Sequence, residues 1–244
     1  MKRLDPALLI GLLGHGENGA IVRLLTAEGG LQSAYVHGGR GRRLRPVLQI
    51  GNRLSVDLVA RGETALPVAS VQLLAANMAM LHGPAGLALV DHVTTLAATL
   101  LPEGVAQPQL FPLIDALLAA AGAGAEPLVQ GAALVRLELA LLAELGLGLD
   151  LRCCAATGSP DDLAFVSPRS RQAVSRGAGR PWAARLLPLP AFLIGAGAAT
   201  MPDVAAGLRL TGHFLARDAL AGQARREAVL HGRGRVVAGL TGEG

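Results

Sequence analysis

The stretch Gly14-His-Gly-Glu-Asn-Gly19 (GHGENG) lies between two apolar runs, and its conformation decides the fold class of the first 75 residues. Its pattern, G-x-G-x-x-G, is typical of a turn that binds a dinucleotide pyrophosphate between a strand and a helix. The stretch also ends in Asn18-Gly19, which is a strong short-range signal for a β-hairpin. The two interpretations differ in the element after the turn, which is a helix in the first and a strand in the second.

The segments after the turn favour the hairpin. Alternation of apolar and polar residues over 54–58 and 31–36 indicates strands with one buried and one wet face, as in antiparallel sheets. A dinucleotide fold needs further strand–helix–strand units, and the residues between Gly19 and Leu31 are few for a crossover helix. We therefore predict a hairpin in which Asn18-Gly19 supplies the positive φ. Five short strand-like runs, each bounded by Gly, Asn or Pro, predict a small closed barrel: 7–13, 20–26, 31–37, 52–60 and 66–74.

From about Val71 the pattern becomes helical. One apolar helix face is defined by Leu134, Leu137, Leu141, Leu142 and Leu145. Glycines and prolines at 83–84, 102–104 and 122–127 separate the predicted helices, and a further helix is predicted to begin near Asp203. Strands followed by helices predict an α+β fold. We expect a barrel over 1–75, a helical domain over 76–150, an insertion over 151–190, a closing helix within 191–222 and a poorly ordered, basic tail over 223–244.

The charge of the chain is unevenly distributed, although the 244 residues carry a net charge of only +4. Residues 1–70 and 151–244 are basic, whereas residues 71–150 are acidic, so the outer thirds are suited to a polyanion. The densest positive segment is HGGRGRRLRP (residues 37–46), which we call the basic loop. Its guanidinium groups match phosphate because each can donate two hydrogen bonds at once. A merely solvated surface loop is the alternative. The arginines concerned are Arg40, Arg42, Arg43 and Arg45.

The cysteines and the remaining polar residues indicate no chemistry. Cys153 and Cys154 are adjacent and cannot form a disulfide framework, which fits a reducing cytoplasm. Cys154-Ala-Ala-Thr157-Gly158 is half of a C-x-x-C-G knuckle, but Ser175 and Ala178 stand where its other half would be, and zinc needs four ligands. We find no nucleophile–base arrangement and no close carboxylate pair. We therefore expect no metal, no cofactor and no enzyme activity, and the short apolar runs predict no membrane span.

Two longer stretches resemble the bacterial recombination mediator family RecO. GENGAIVRLLTAEGGLQSAYVHGGR (residues 16–40) is similar to an early segment of that family, and LRCCAATGSPDDLAFVSPRSRQAVSRGAG (residues 151–179) to its central knuckle. With the order of the blocks, the resemblance covers nearly the whole chain. It implies an OB-type barrel, a helical body, and DNA repair by homologous recombination in the cytoplasm, associated with the nucleoid. It further implies binding of single- and double-stranded DNA, strand annealing, and help in loading a RecA-type recombinase together with a RecR-type mediator and the single-strand-binding protein.

The resemblance also implies a set of DNA contacts and one departure. The contacts are the four arginines of the basic loop and, as secondary candidates, Arg169, Arg171 and Arg176. The departure is at the knuckle, where Thr157, Ser175 and Ala178 replace three cysteines, so zinc binding does not carry over. The hypotheses from other classes are an NADP-dependent oxidoreductase that uses the GHGENG turn and a scaffold protein without nucleic-acid affinity.

The knuckle generates the first prediction. We expect the purified protein to contain no stoichiometric zinc, and a chelator to leave its melting temperature unchanged, because only two thiols are present. Elemental analysis and thermal melts with and without chelator measure both quantities. Stoichiometric zinc in the purified chain would contradict the prediction.

Overall fold

The fold is described from a computed structural model, which describes residues 2–60, 65–195 and 197–242. The chain divides into two compact units. The first comprises Met1–Ala125 and His231–Val236, and the second comprises Glu126–Leu230 and Val237–Gly244. Strands dominate the first 75 residues and helices the remainder, so the predicted α+β class is confirmed. The unit boundary lies after Ala125, whereas we expected a boundary after residue 75, so the first two helices are grouped with the barrel.

A closed five-stranded barrel forms the start of the first unit, as predicted, with strand order β1-β2-β3-β5-β4. Neighbouring strands are antiparallel except β3 and β5, which meet in parallel at Tyr35 and Val68. The five strands are β1 (Lys2–His15), β2 (Gly19–Thr26), β3 (Gly30–Val36), β4 (Arg53–Val59) and β5 (Val68–Ala75). Alternate residues point inward, and Leu54, Val56 and Leu58 join one apolar core, which confirms the alternation predicted for this strand.

The first strand closes the barrel because it pairs on both of its edges. Its first half pairs with β4, from Lys2 opposite Leu58, and its second half pairs with β2, ending with His15 opposite Gly19. The register shifts twice along β1, between residues 4 and 7 and between residues 9 and 11. Irregularities of this kind bend a strand and increase its local twist, which lets one strand of 14 residues serve both partners.

The GHGENG stretch is a hairpin turn between β1 and β2, as predicted. The residues after it form a strand where dinucleotide binding requires a helix, so the oxidoreductase hypothesis is wrong. The predicted source of the positive φ is also wrong, since φ is +60° at Gly16 and not positive at Asn18 or Gly19. Gly19 is required for a different reason, because a Cβ there would lie 2.2 Å from Oη of Tyr35.

Two helices complete the described first unit together with residues 231–236. They are α1 (Gly83–Leu100) and α2 (Leu110–Gly122). The helical region was predicted to begin near Val71, but β5 continues to Ala75 and a 3₁₀ turn (Ala79–His82) precedes α1. Gly83 and Pro84 were predicted to separate helices and instead begin α1, where proline is tolerated because the first backbone N–H groups have no partner within the helix.

The second unit consists of helices and a small sheet. Two of its helices, α3 (Pro127–Glu144) and α5 (Met201–Phe214), pack on each other. The predicted apolar face of α3 is buried at Leu134, Leu137, Leu141 and Leu142. The insertion forms a three-stranded sheet of β6 (Leu163–Val166), β7 (Ala173–Ser175) and β8 (Leu187–Pro188), with the short helix α4 (Arg176–Gly179) after β7.

The C-terminal segment differs from the prediction. Residues 223–244 were expected to be poorly ordered, but Arg226–Thr241 forms a helix, α6, while residues 243 and 244 lie outside the described residues. Val229, Val236 and Leu240 are buried at spacings of seven and four, which is one stripe of a helix. The many Gly and Arg residues of the segment concealed this apolar stripe.

The close approach at Gly19 generates the second prediction. Gly19→Ala should lower the free energy of unfolding by about 1–3 kcal/mol, because the new methyl group forces the Tyr35 ring out of its position. Gly14→Ala is the control, since a Cβ there meets Arg40 only at 3.6 Å, an ordinary contact. Denaturant unfolding of both variants, of Tyr35→Ala and of Gly19→Ala/Tyr35→Ala measures the effect. Gly19→Ala should cost less free energy of unfolding when Tyr35 is also replaced by Ala than it does in the wild-type background. Equal stability of Gly19→Ala and Gly14→Ala would contradict the explanation.

Candidate nucleic-acid interface

The basic loop between β3 and β4 is a chain of hydrogen-bonded turns. The amide of Gly41 donates to the carbonyl of Gly38 at 2.8 Å, Arg45 N donates to Gly41 O at 3.1 Å, and Leu48 N donates to Leu44 O at 2.8 Å. The backbone of the loop is therefore internally hydrogen-bonded along most of its length. These turns fix the backbone positions from which the arginine side chains extend.

The apolar residues in and directly after the basic loop anchor it to the barrel. Leu48 is buried within the barrel core cluster, and Leu44, Val47 and Ile50 pack against that cluster from outside. Their spacing places them on one side of the turns, so the charged side chains are directed to solvent. Packing of these four side chains fixes the loop without help from Arg42, Arg43 or Arg45.

Asn52 holds the end of this segment. The residue is buried, and its side-chain amide donates to the carbonyls of Pro46 and Val47 at 3.1 and 2.9 Å. Its side-chain oxygen accepts from the backbone N–H of Asn77 at 2.8 Å. One buried amide thus joins the basic loop to the segment that links β5 and α1. Asn52 was not among the residues predicted from the sequence, because nothing in its local pattern reveals partners so far along the chain.

The arginines of the basic loop are not equivalent. All four are exposed, and within the described residues no hydrogen bond or ion pair involves the guanidinium groups of Arg42, Arg43 and Arg45. Arg40 instead donates to the carbonyl oxygens of Gly16 and Glu17, at 3.2 and 3.4 Å, in the GHGENG turn. Arg40 therefore joins the loop to the hairpin, while the other three remain available for an anion.

A surface groove lies between the hairpin and the basic loop. Its volume is about 390 Å³, and it is lined by residues of both elements, including Leu12, Gly14, Arg40, Arg45 and Gln49. Leu12 forms an apolar side of this groove and is 44% exposed. The groove combines positive charge with an apolar surface, which suits a ligand that has both charged and flat apolar parts.

Three rings meet beside the basic loop, an arrangement that sequence reasoning missed. The Tyr35 ring contacts His37 and His15 edge-on, with ring centroids 4.8 and 5.7 Å apart. His15 ends β1 and His37 follows β3. Because β1 and β3 flank β2 in an antiparallel meander, their ends lie at the same edge of the barrel. The hairpin prediction contained this information, since it places the ends of the first and third strands together.

The secondary candidates in the second unit have different surroundings. Arg171 forms an ion pair with Asp218 at 3.1 Å, and Arg176 forms one with Asp162 at 3.2 Å. The hydrogen bond from Arg217 lowers the pKa of the Asp218 carboxyl, burial opposes this shift, and Arg171 lowers the pKa further. Arg169 is exposed and has no ion pair within the described part of the chain.

The knuckle-like loop folds through hydrogen bonds. The thiol sulphur of buried Cys154 accepts from the backbone N–H of Ser175 at 3.2 Å, and Gly158 N donates to Cys154 O at 2.8 Å. Burial raises the pKa of the Cys154 thiol, but hydrogen bonds from Ser175, Thr157 and the Ala156 backbone outweigh it and lower the pKa to about 6. Across the described ranges, no three His, Cys, Asp or Glu side chains are grouped to hold a metal ion.

Comparison with known proteins gives a consistent result for both parts of the chain. Residues 1–75 match the family model described as Recombination protein O N terminal, and residues 82–225 match Recombination protein O C terminal. The chain is 46% identical to a DNA repair protein RecO of Rhodospirillum rubrum, over 91% of this chain and 90% of that protein. It is 44% identical to one of Methylorubrum extorquens over the full length of both. None of the helices within the described residues is long and apolar enough to cross a membrane.

The hydrogen bonds of Asn52 generate the third prediction. Asn52→Ala should lower the free energy of unfolding by about 1–3 kcal/mol, because buried backbone groups lose their partners. Amide hydrogen exchange at Arg45 and Leu48 should also accelerate relative to the barrel strands.

Gln49→Ala is the matched control for Asn52→Ala. Its side chain donates to Arg45 O from an exposed position, so its loss should change stability by no more than about 0.5 kcal/mol. Equal effects of the two substitutions on stability and on exchange in the loop would show that Asn52 does not hold it.

Proposed function

Because this chain belongs to the Recombination protein O family of DNA repair proteins, we propose that its barrel binds DNA through the phosphate backbone and promotes strand annealing. The observation that carries the proposal is the set of three exposed, unpaired guanidinium groups on the anchored basic loop within the described residues. Like charges this close repel one another, and a polyanion is the ligand that removes the repulsion. The protein acts in this proposal as a mediator in recombination without covalent chemistry, in the cytoplasm at the nucleoid.

The arginines suit a phosphate backbone for two reasons. Each guanidinium can donate two hydrogen bonds to one phosphate, and each neutralised phosphate releases condensed counterions, which favours binding at low salt. The turns of the loop keep its backbone in place before DNA arrives, so little backbone entropy is lost on binding. Arg40 contributes positive charge and holds the loop against the hairpin.

The same surface supports a mechanism for annealing. Two strands repel each other as polyanions, so a protein that neutralises phosphates on both strands lowers the barrier to their approach. Contacts to the backbone leave the base edges free to find their partners. The rings of Tyr35, His15 and His37 support an additional contact with a base, and such stacking tolerates every sequence.

Protein partners are a further part of the proposal. We propose that the chain acts with a RecR-type mediator and the single-strand-binding protein, and helps to load a RecA-type recombinase, on both single- and double-stranded DNA. The first unit exposes several large apolar side chains, which a protein partner would cover. They lie on β5 and just after it: Leu73, Leu74, Met78, Met80 and Leu81.

The guanidinium groups generate the fourth prediction. Arg42→Ala/Arg43→Ala/Arg45→Ala should flatten the dependence of log K on log salt for single-stranded DNA by about 2, at about 0.7 for each lost contact. The quadruple variant that includes Arg40→Ala should flatten it by about 3 if Arg40 also leaves the hairpin for a phosphate. Affinity should fall alike for two oligonucleotides of unrelated sequence, and annealing should fall with it.

Salt titrations of wild type and variants measure these slopes, and thermal melts verify folding. Arg152→Ala is the control, because it removes an exposed arginine of the other unit that already pairs with Asp150. An unchanged slope in a folded triple variant would show that the basic loop is only a solvated surface.

A further inference from the structure

The only tryptophan of the chain lies on the surface of the second unit. Trp182 is 58% exposed and belongs to a 3₁₀ helix (Arg180–Arg185) between α4 and β8. Tryptophan carries the largest apolar surface of any side chain, and leaving most of it in water is unfavourable unless a ligand covers it. Neither the DNA contact proposed for the basic loop nor the fold of the knuckle-like loop accounts for this position.

The 3₁₀ helix is held at both ends, so the indole is presented from a fixed backbone. Before it, Arg176 N donates to Asp162 O at 2.8 Å, and after it, Leu189 N donates to Ala164 O at 2.9 Å. Phe165 and Val166 of β6 pair with β8 directly after the helix. The segment is therefore a short connection between α4 and β8 that hydrogen bonds hold on both sides.

Two exposed arginines flank Trp182 within its 3₁₀ helix. Arg180 and Arg185 are exposed, and within the described residues neither guanidinium has a carboxylate partner. The Arg185 guanidinium lies 5.9 Å from the centre of the Trp182 ring, since residues three apart share one face of a 3₁₀ helix. Residues 163–202 contain five arginines, of which Arg171 and Arg176 form ion pairs with Asp218 and Asp162. Arg169, Arg180 and Arg185 have no ion pair within the described residues.

We propose that Trp182 stacks on an unpaired nucleobase while Arg180 and Arg185 bind the phosphates beside it. This second contact rests on the proposed DNA-binding function and adds a preference for single strands. An aromatic ring and guanidinium groups side by side match the alternation of base and phosphate along a single strand. A duplex offers the phosphates but keeps its bases stacked on each other, and an acidic peptide offers charge without flat rings.

The fluorescence of the chain makes the proposal directly measurable, because Trp182 is the only tryptophan. Single-stranded oligothymidylate should quench the emission with saturation and protect the indole from acrylamide. Blunt duplex DNA at equal occupancy should neither quench the emission nor protect the indole. Polyglutamate at equal total charge should also do neither. Trp182→Ala should weaken oligothymidylate binding roughly 5- to 150-fold, as expected for the loss of one stacked base. Trp182→Phe should retain most of the affinity.

The controls separate this proposal from the preceding one. Val129→Ala removes an apolar side chain of the same unit that is 53% exposed, and it should leave affinity unchanged. If wild type binds oligothymidylate but its emission stays constant, or if Trp182→Ala binds as wild type does, the stacking proposal is overturned while DNA binding stands. Equal quenching by polyglutamate would overturn it in favour of an acidic protein partner. If wild type does not bind DNA at low salt, both proposals fail.

Discussion

The barrel depends on the pairing of β1 along both of its edges. A strand of 14 residues can serve β4 and β2 only because it bends at two irregularities. The barrel closes between β3 and β5 at the single pair Tyr35 and Val68. Closure also determines where the surface features meet. The GHGENG turn, the end of β3 and the start of the basic loop come together at one edge, where Arg40 joins the loop to the turn.

Presentation of positive charge at that edge relies on neutral interactions. Four apolar side chains and the buried amide of Asn52 hold the loop, so Arg42, Arg43 and Arg45 have no part in keeping it folded. This separation matters because a charged group that also stabilises the fold loses that stabilising contact when it binds a ligand. It makes substitution of these three arginines a clean test of binding. Arg171 shows the contrasting case, since its ion pair with Asp218 commits it to the fold.

The second unit shows a knuckle-like loop whose conformation is held by hydrogen bonds. The Ser175 amide donates to the Cys154 sulphur, and backbone bonds across β6 and β7 complete the arrangement. The sheet that results supports the segment that carries Trp182. Its exposed residues include Trp182 and the arginines Arg169, Arg176, Arg180 and Arg185.

The sequence by itself determined the strand and helix order, the alternation that buries Val56 and its neighbours, the hairpin at GHGENG and the basic loop. These are local properties, set by residue type, by periods of two or 3.6 residues, and by turn-forming glycine and asparagine. Three features were decided only by the tertiary structure: the need for glycine at position 19, the choice of arginines that stay free, and the helix α6. Each of them depends on a partner distant in sequence. The Tyr35 side chain lies where a Cβ of Gly19 would be, and the Arg40 guanidinium donates to a carbonyl of the GHGENG turn. Burial of Val229 and Val236 outweighs the weak helix propensity of a glycine-rich segment.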